Sequence, residues 1–165
     1  MKKILLVVAI FIAGVSFNDA KAQDGMMSID AQFGVPVGDA SDSTDLQFGV
    51  NFTYYFVEVM EALKIGGRAG YGMFVVNDEL SDFGVDNFDF ITLGAAARYD
   101  FSESLFARLD LGYAIGLADE SDGAMFVEPR FGYNLGNFDI FAYYQSIFES
   151  GTSLDAVGVG FALKF

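Results

Sequence analysis

The sequence predicts an all-β fold: a closed eight-stranded antiparallel up-and-down β-barrel that spans a membrane and is preceded by a cleaved signal peptide. Three observations carry this expectation. Apolar and polar residues alternate with period two in eight segments of roughly ten residues each. Glycines and basic residues fall together on the polar parity of those segments, and the chain opens on a short basic and apolar leader.

In the leader, Lys2 and Lys3 precede a 12-residue apolar run, Ile4 to Val15, and Ala20-Lys21-Ala22 supplies small residues for cleavage. The run is too short to cross a bilayer as a helix, which needs about 20 residues. Residues 1–22 are therefore expected as signal peptide and 23–165 as the barrel domain. The strands are expected near 26–36, 46–57, 63–75, 88–101, 104–117, 124–135, 138–148 and 154–165. The second sets Phe48, Val50, Phe52, Tyr54 and Phe56 against Gln47, Gly49, Asn51, Thr53 and Tyr55. The fifth sets Leu105, Ala107, Leu109, Leu111, Tyr113 and Ile115 against Arg108, Asp110, Gly112, Ala114 and Gly116. Val157, Val159, Phe161, Leu163 and Phe165 share one face of the eighth.

Facing is decided by glycine and charge. Gly34, Gly49, Gly66, Gly70, Gly72, Gly94, Gly112, Gly132, Gly158 and Gly160 lie on the polar parity, with all six basic residues of the mature chain, Lys64, Arg68, Arg98, Arg108, Arg130 and Lys164. A lipid-facing Arg or Lys at mid-bilayer costs about 2–4 kcal/mol, so this parity points inward. An eight-stranded barrel is only wide enough for side chains, and glycine leaves room for the long charged ones. The apolar parity then meets lipid.

Segments 37–45 and 76–87 are long, and 58–62, 102–104 and Gly136-Asn137 are tight, as alternating loops and turns require. Pro129 lacks the N–H that an interior strand donates, so a bulge or a lost ladder bond is expected there. Strand seven places Phe141 and Tyr143 on the parity of Asp139 and Gln145, which leaves its facing open.

The inward charges include Arg68, Arg98, Arg108, Asp110, Glu128 and Arg130, with Asp30 and Asp139. Buried charges persist when paired and hydrogen-bonded, so an interior salt-bridge network is expected. A tight turn at Gly136-Asn137 sets Asn134 opposite Asp139 and Glu128 opposite Gln145. Around 118–123, one register allowed by parity sets Asp110 opposite Arg130. The turn after Phe101 places Arg98 opposite Arg108, with Asp100 or Asp110 to bridge them.

The composition excludes several functions. The 165 residues include no Cys and no His, so disulfides, thiolate or imidazole metal sites and Ser-His-Asp hydrolysis are absent. Nine basic residues against 23 acidic ones rule out a nucleic-acid footprint. A nucleotide loop at Gly66-Gly67-Arg68-Ala69-Gly70-Tyr71-Gly72 fails because no helix follows it. No cofactor is expected, and the one catalytic arrangement left is a carboxylate pair such as Asp78 with Asp82.

With its leader, its alternating strands and its terminal Phe165 preceded on one face by Leu163 and Phe161, the chain resembles the eight-stranded outer-membrane β-barrel proteins of Gram-negative envelopes, the OmpA/OmpX-like group. The resemblance implies an integral, porin-like outer-membrane location with both termini periplasmic. It also implies that Phe161, Leu163 and Phe165 form the terminal signal read by the outer-membrane assembly machinery. The expected function is a structural, envelope-stabilising barrel with a filled polar interior. The alternative is a surface-interaction or adhesion barrel acting through its acidic loops, ahead of a lipid-modifying enzyme or a soluble lipocalin-like binder. The four outward connections contain Asp39, Asp42, Asp45, Asp78, Glu79, Asp82, Asp86, Asp119, Glu120, Asp122 and Glu149 and no Lys or Arg. Asp78, Glu79, Asp82 and Asp86 are weak candidates for a shared divalent-cation site, since their spacing is not that of a caged calcium loop. Outer-membrane lipid, divalent cations or a surface partner are the expected contacts. If the terminal signal is as expected, deleting Phe165 lowers the folded amount in envelope fractions far more than Phe161→Leu does, as read by the fraction resisting unfolding in unheated gel samples.

Overall fold

A computed structural model describes residues 27–118, 123–149 and 151–165, leaving aside the side chain of Glu149. The expected leader, residues 1–22, and the loop acids Asp119, Glu120 and Asp122 lie outside the described residues. Eight strands follow in chain order: β1 Met27–Val37, β2 Thr44–Met60, β3 Leu63–Val76, β4 Phe88–Asp100, β5 Leu105–Gly116, β6 Ala124–Asn134, β7 Phe138–Glu149 and β8 Thr152–Lys164. Each pairs antiparallel with its neighbours, and β1 pairs with β8 from Ser28↔Lys164 to Val37↔Asp155, closing the barrel. Closure leaves no free sheet edge along the paired strands, and with the backbone satisfied internally such a sheet can cross lipid.

One end of the barrel carries the tight turns and both ends of the paired sheet, where Met27 and Phe165 exchange backbone hydrogen bonds of 3.2 and 3.0 Å. Between β6 and β7 the turn is two residues long, Leu135 N–H donating to the Phe138 carbonyl (2.9 Å) while Gly136 takes φ +88°. Only a residue without Cβ accepts that angle at low cost in a hairpin turn. The opposite end carries the longer loops. Val37 and Asn77 lead into two short helical turns, Gly38–Asp42 and Asp78–Asp82, in segments read from sequence simply as loop. Asn77 ties these two loops together, its N–H donating to the Ser43 carbonyl (3.1 Å) and its side-chain amide to the Asp42 carbonyl (3.2 Å).

Strand β2 runs to Met60, three residues beyond its expected end, because register shifts at Tyr55/Val57 and Glu58/Met60 let the β2–β3 hairpin extend to a two-residue turn. A bulge inserts a residue and breaks the simple alternation, which is why this extension was not visible as period two. At Pro129 the β6–β7 ladder is interrupted between Val127↔Ser146 and Arg130↔Tyr143 with no change of register. The expected disturbance is thus a lost bond rather than a bulge.

The outer face is continuous apolar surface, including Phe33, Phe48, Val50, Phe52, Leu93, Leu109, Leu111, Ile140, Val159, Phe161, Leu163 and Phe165. Near the turn end, aromatic rings meet on this face, Tyr99 with Phe101 at 5.0 Å and Phe101 with Phe131 at 6.3 Å between centroids. These rings stand in for the tryptophan that the sequence lacks, since any large ring with an apolar body suits the bilayer boundary.

Candidate functional site

Inside, strand periodicity alone brings opposite charges together. Residues i and i+2 share a face one pleat apart. Arg98 Nε therefore reaches Asp100 (2.8 Å), Arg108 Nε reaches Asp110 (2.7 Å) and Arg130 Nη2 reaches Glu128 (2.5 Å), each pair within one strand. These local pairs permit a register that otherwise opposes like charges: Arg98↔Arg108, Arg108↔Arg130 and Asp110↔Glu128. The expected Asp110–Arg130 opposition is corrected here, since β5 and β6 pair two residues away from that register and Gly112 lies opposite Phe126. A two-residue shift preserves which face each side chain occupies, so parity could not distinguish the two.

Three arginines and three acids close into one neutral cluster. Arg68 contacts Asp110 (3.0 Å) and Glu128 (3.1 Å), and Arg130 contacts Asp30 (3.0 Å) and Asp110 (3.5 Å) besides Glu128. Arg108 lies 3.7 Å from Asp30. Neutral groups add further hydrogen bonds: Asn51 donates to Asp30 (2.6 Å), Gln145 donates to Glu128 (2.6 Å), and Arg108 donates to the Thr53 hydroxyl (2.7 Å). All of these side chains are buried.

Each arginine also lies against an inward aromatic ring, Arg98 over Phe106 (3.8 Å), Arg130 over Phe141 (4.5 Å), Arg68 over Phe126 (5.1 Å) and Arg108 over Tyr55 (6.0 Å). Sequence reasoning assigned the glycine space to charged side chains and missed this use of it. A Cβ on Gly132 would strike the Phe106 ring, on Gly112 the Phe126 ring, and on Gly160 the Phe141 ring. The signal was present, since Tyr55, Phe106, Phe126, Phe141 and Tyr143 all sit on the polar parity. Their position settles the facing of β7: Asp139, Phe141, Tyr143 and Gln145 point inward.

Toward the turn end, Arg98 pairs with Asp139 (2.5 Å), Lys164 bonds Asp139 (2.8 Å) and Asn134 (2.7 Å), and Lys64 stands 4.0 Å from Asp100. Toward the loop end the interior turns apolar, with Phe74, Phe90, Ala114, Ala124, Phe126, Ile147 and Ala156 packed together. An interior void beside Arg98, Arg108, Arg130 and Asp139 measures about 10 Å³, space for about one water.

At the loop end, Asp39, Asp42, Asp45, Asp78, Glu79, Asp82 and Asp86 are all exposed. The structure does not gather Asp78, Glu79, Asp82 and Asp86 around a common point; among the described residues no three such ligands are placed to hold a metal ion. Phe161, Leu163 and Phe165, expected as the assembly signal, line the outer face of β8.

No family model and no curated protein matches the sequence. Among solved structures, the outer membrane protein Ail of Yersinia pestis in a phospholipid bilayer nanodisc aligns at TM-score 0.57 and 15% identity, over 86% of this chain and 99% of Ail. The outer membrane enzyme PagL aligns at 0.62 and 10% identity, covering 82% and 98%. The N-terminal β-barrel domain of Pseudomonas aeruginosa OprF aligns at 0.53 and 17%, covering 87% and 100%. The fold is that of the small eight-stranded outer-membrane β-barrels. Identities this low show the fold alone, and the enzyme among these structures demonstrates that the barrel itself does not dictate chemistry.

Two outcomes test this interior. Arg130→Ala, which leaves Asp30 and Glu128 short of a buried partner, lowers unfolding free energy by about 3–5 kcal/mol in urea titrations in lipid vesicles, against about 0–1 kcal/mol for Lys64→Ala at its half-exposed pair. Planar-bilayer recordings of the purified protein show no steady open-channel current.

Proposed function

We propose that the chain is an integral outer-membrane barrel that works through its loop rim, as a surface-interaction protein whose acidic loops meet a cationic partner. The observation that carries this is the charge of the rim: six exposed carboxylates on two loops and a seventh, Asp45, at the adjoining start of β2, with no Lys or Arg in any of the four connecting segments. Binding residues concentrate on loops that a rigid scaffold holds in place, and complementary charge accelerates encounter. A solved structure of the same fold is described as the attachment invasion locus protein of Yersinia pestis, which supports a contact role. In this reading residues 1–22 are removed, both termini are periplasmic and the loops face outward.

The purely structural, envelope-stabilising role rests on the filled interior, which is equally the mount that a rim needs. No catalytic step is part of the proposal: the chain has neither His nor Cys, and Asp78 and Asp82 stand exposed on one helical turn. Divalent cations, if they bind, screen the rim rather than occupy a cage.

The test uses the purified barrel in zwitterionic nanodiscs and fluorescent oligolysine. Wild type binds it with an affinity that falls as salt rises. The variant Asp78→Asn, Glu79→Gln, Asp82→Asn, Asp86→Asn keeps its heat-dependent gel mobility and loses most of that binding. Equal binding by variant and wild type would reject the rim as the contact surface.

A further inference from the structure

The β3–β4 loop displays a feature that neither the barrel nor its charge network uses. Phe83, just past the short helix, is 84% exposed, and Val85 beside it is 39% exposed. Burying a Phe side chain stabilises by about 1.5–3 kcal/mol, and within this chain that contribution goes unrealised.

The backbone beneath Phe83 is fixed. Asn77 caps the helical turn by accepting from Leu80 N–H (3.0 Å), and Phe83 N–H and Val85 N–H both donate to the Leu80 carbonyl (3.1 and 3.2 Å). Gly84 takes φ +80°, which folds the chain back so that Val85 stands near Phe83 in sequence and on the same turn. Asn87 accepts from Val76 N–H (3.1 Å), closing the loop at its base. With the backbone ordered this way, only the ring's own rotamers are left to be fixed when a partner covers it.

The surroundings define the partner. Asp78, Glu79, Asp82 and Asp86 are exposed on the same loop, and no basic residue accompanies them. A lipid surface rich in phosphate is repelled by such a loop, whereas a polypeptide bearing Lys or Arg beside an apolar side chain complements it in both respects. We infer that the β3–β4 loop is the docking element for a cationic, amphipathic polypeptide segment. Phe83 and Val85 receive an apolar side chain of the partner, Asp82 and Asp86 pair with the flanking cations, and the Phe83 ring face offers a further cation contact. This rests on the acidic-rim reading and adds to it an anchor and a partner class.

The experiment compares two labelled probes of equal charge, oligolysine and an alternating Lys/Leu peptide, on wild type and Phe83→Ser in zwitterionic nanodiscs, with empty nanodiscs subtracted. Wild type binds the Lys/Leu peptide more tightly than oligolysine. Phe83→Ser weakens Lys/Leu binding about tenfold, the scale of losing one aromatic anchor, and leaves oligolysine binding unchanged. Equal Lys/Leu affinity of the two proteins overturns the anchor while the rim reading stands. Failure of oligolysine to bind wild type removes the rim reading and the inference with it. Because the chain has no Cys, Ser81→Cys accepts a single environment-sensitive dye. Blue-shifted emission in nanodiscs without peptide would show the turn seated in lipid and would also overturn the inference. Heat-dependent gel mobility verifies that each variant retains its barrel.

Discussion

Everything inside this barrel depends on keeping three guanidinium groups charged where bulk water does not reach. The penalty for burying one such ion is several kcal/mol, and it is offset only when partners surround it in good geometry. Arg68, Arg108 and Arg130 share Asp30, Asp110 and Glu128, and no member relies on a single contact. The aromatic rings beneath the guanidinium planes fill the space that hydrogen bonds leave. The glycines opposite those rings are required in turn, because a Cβ at Gly132 or Gly160 would strike the ring first, and one at Gly112 would meet the Leu93 carbonyl as well as the Phe126 ring. Charge, ring and glycine thus form one constraint distributed over several strands.

That constraint explains what could be read in the sequence. Alternation located all eight strands, and the shared parity of glycine and basic residues oriented all but β7, which has neither, because a lipid-facing arginine is excluded at any register. Register itself was less legible. The tight turn at Gly136-Asn137 left a single pairing, and Asn134 does oppose Asp139. The longer 118–123 connection admits pairings two residues apart with identical facing, and the choice falls on Asp110↔Glu128. Local i, i+2 pairing makes that choice tolerable, since each arginine brings its own acid. Phe141 and Tyr143 were ambiguous because an inward aromatic looks lipid-facing unless the glycine across from it, Gly160 or Gly158, is read together with it.

The loop acids were legible as composition, but their arrangement was not. Short helical turns at Gly38–Asp42 and Asp78–Asp82 and the Asn77 tie between the loops come from side-chain to backbone bonds, which leave no period in the sequence. Ala40, only 1% exposed, and the Thr44 hydroxyl that donates to its carbonyl (2.7 Å) anchor the first loop to the barrel. The rim is consequently a shaped surface rather than a set of tethered charges.

The two ends of the molecule differ in how their charges are balanced. All six basic residues of the barrel lie in the turn-side half of their strands, each within reach of an acid, so the interior contributes almost no net field. The rim carboxylates have no such compensation and are separated from the buried arginines by the apolar layer of Phe74, Phe90, Phe126 and Ile147. Repulsion among them disfavours the folded loops slightly, a cost that exposure to water and salt keeps small. Because the buried cluster is neutral, substitutions on the rim alter the field seen from solution without disturbing the pairing on which the barrel stands. In the proposed reading stability and recognition are therefore separable: the first lies in a closed, neutral interior, the second in an uncompensated surface above it.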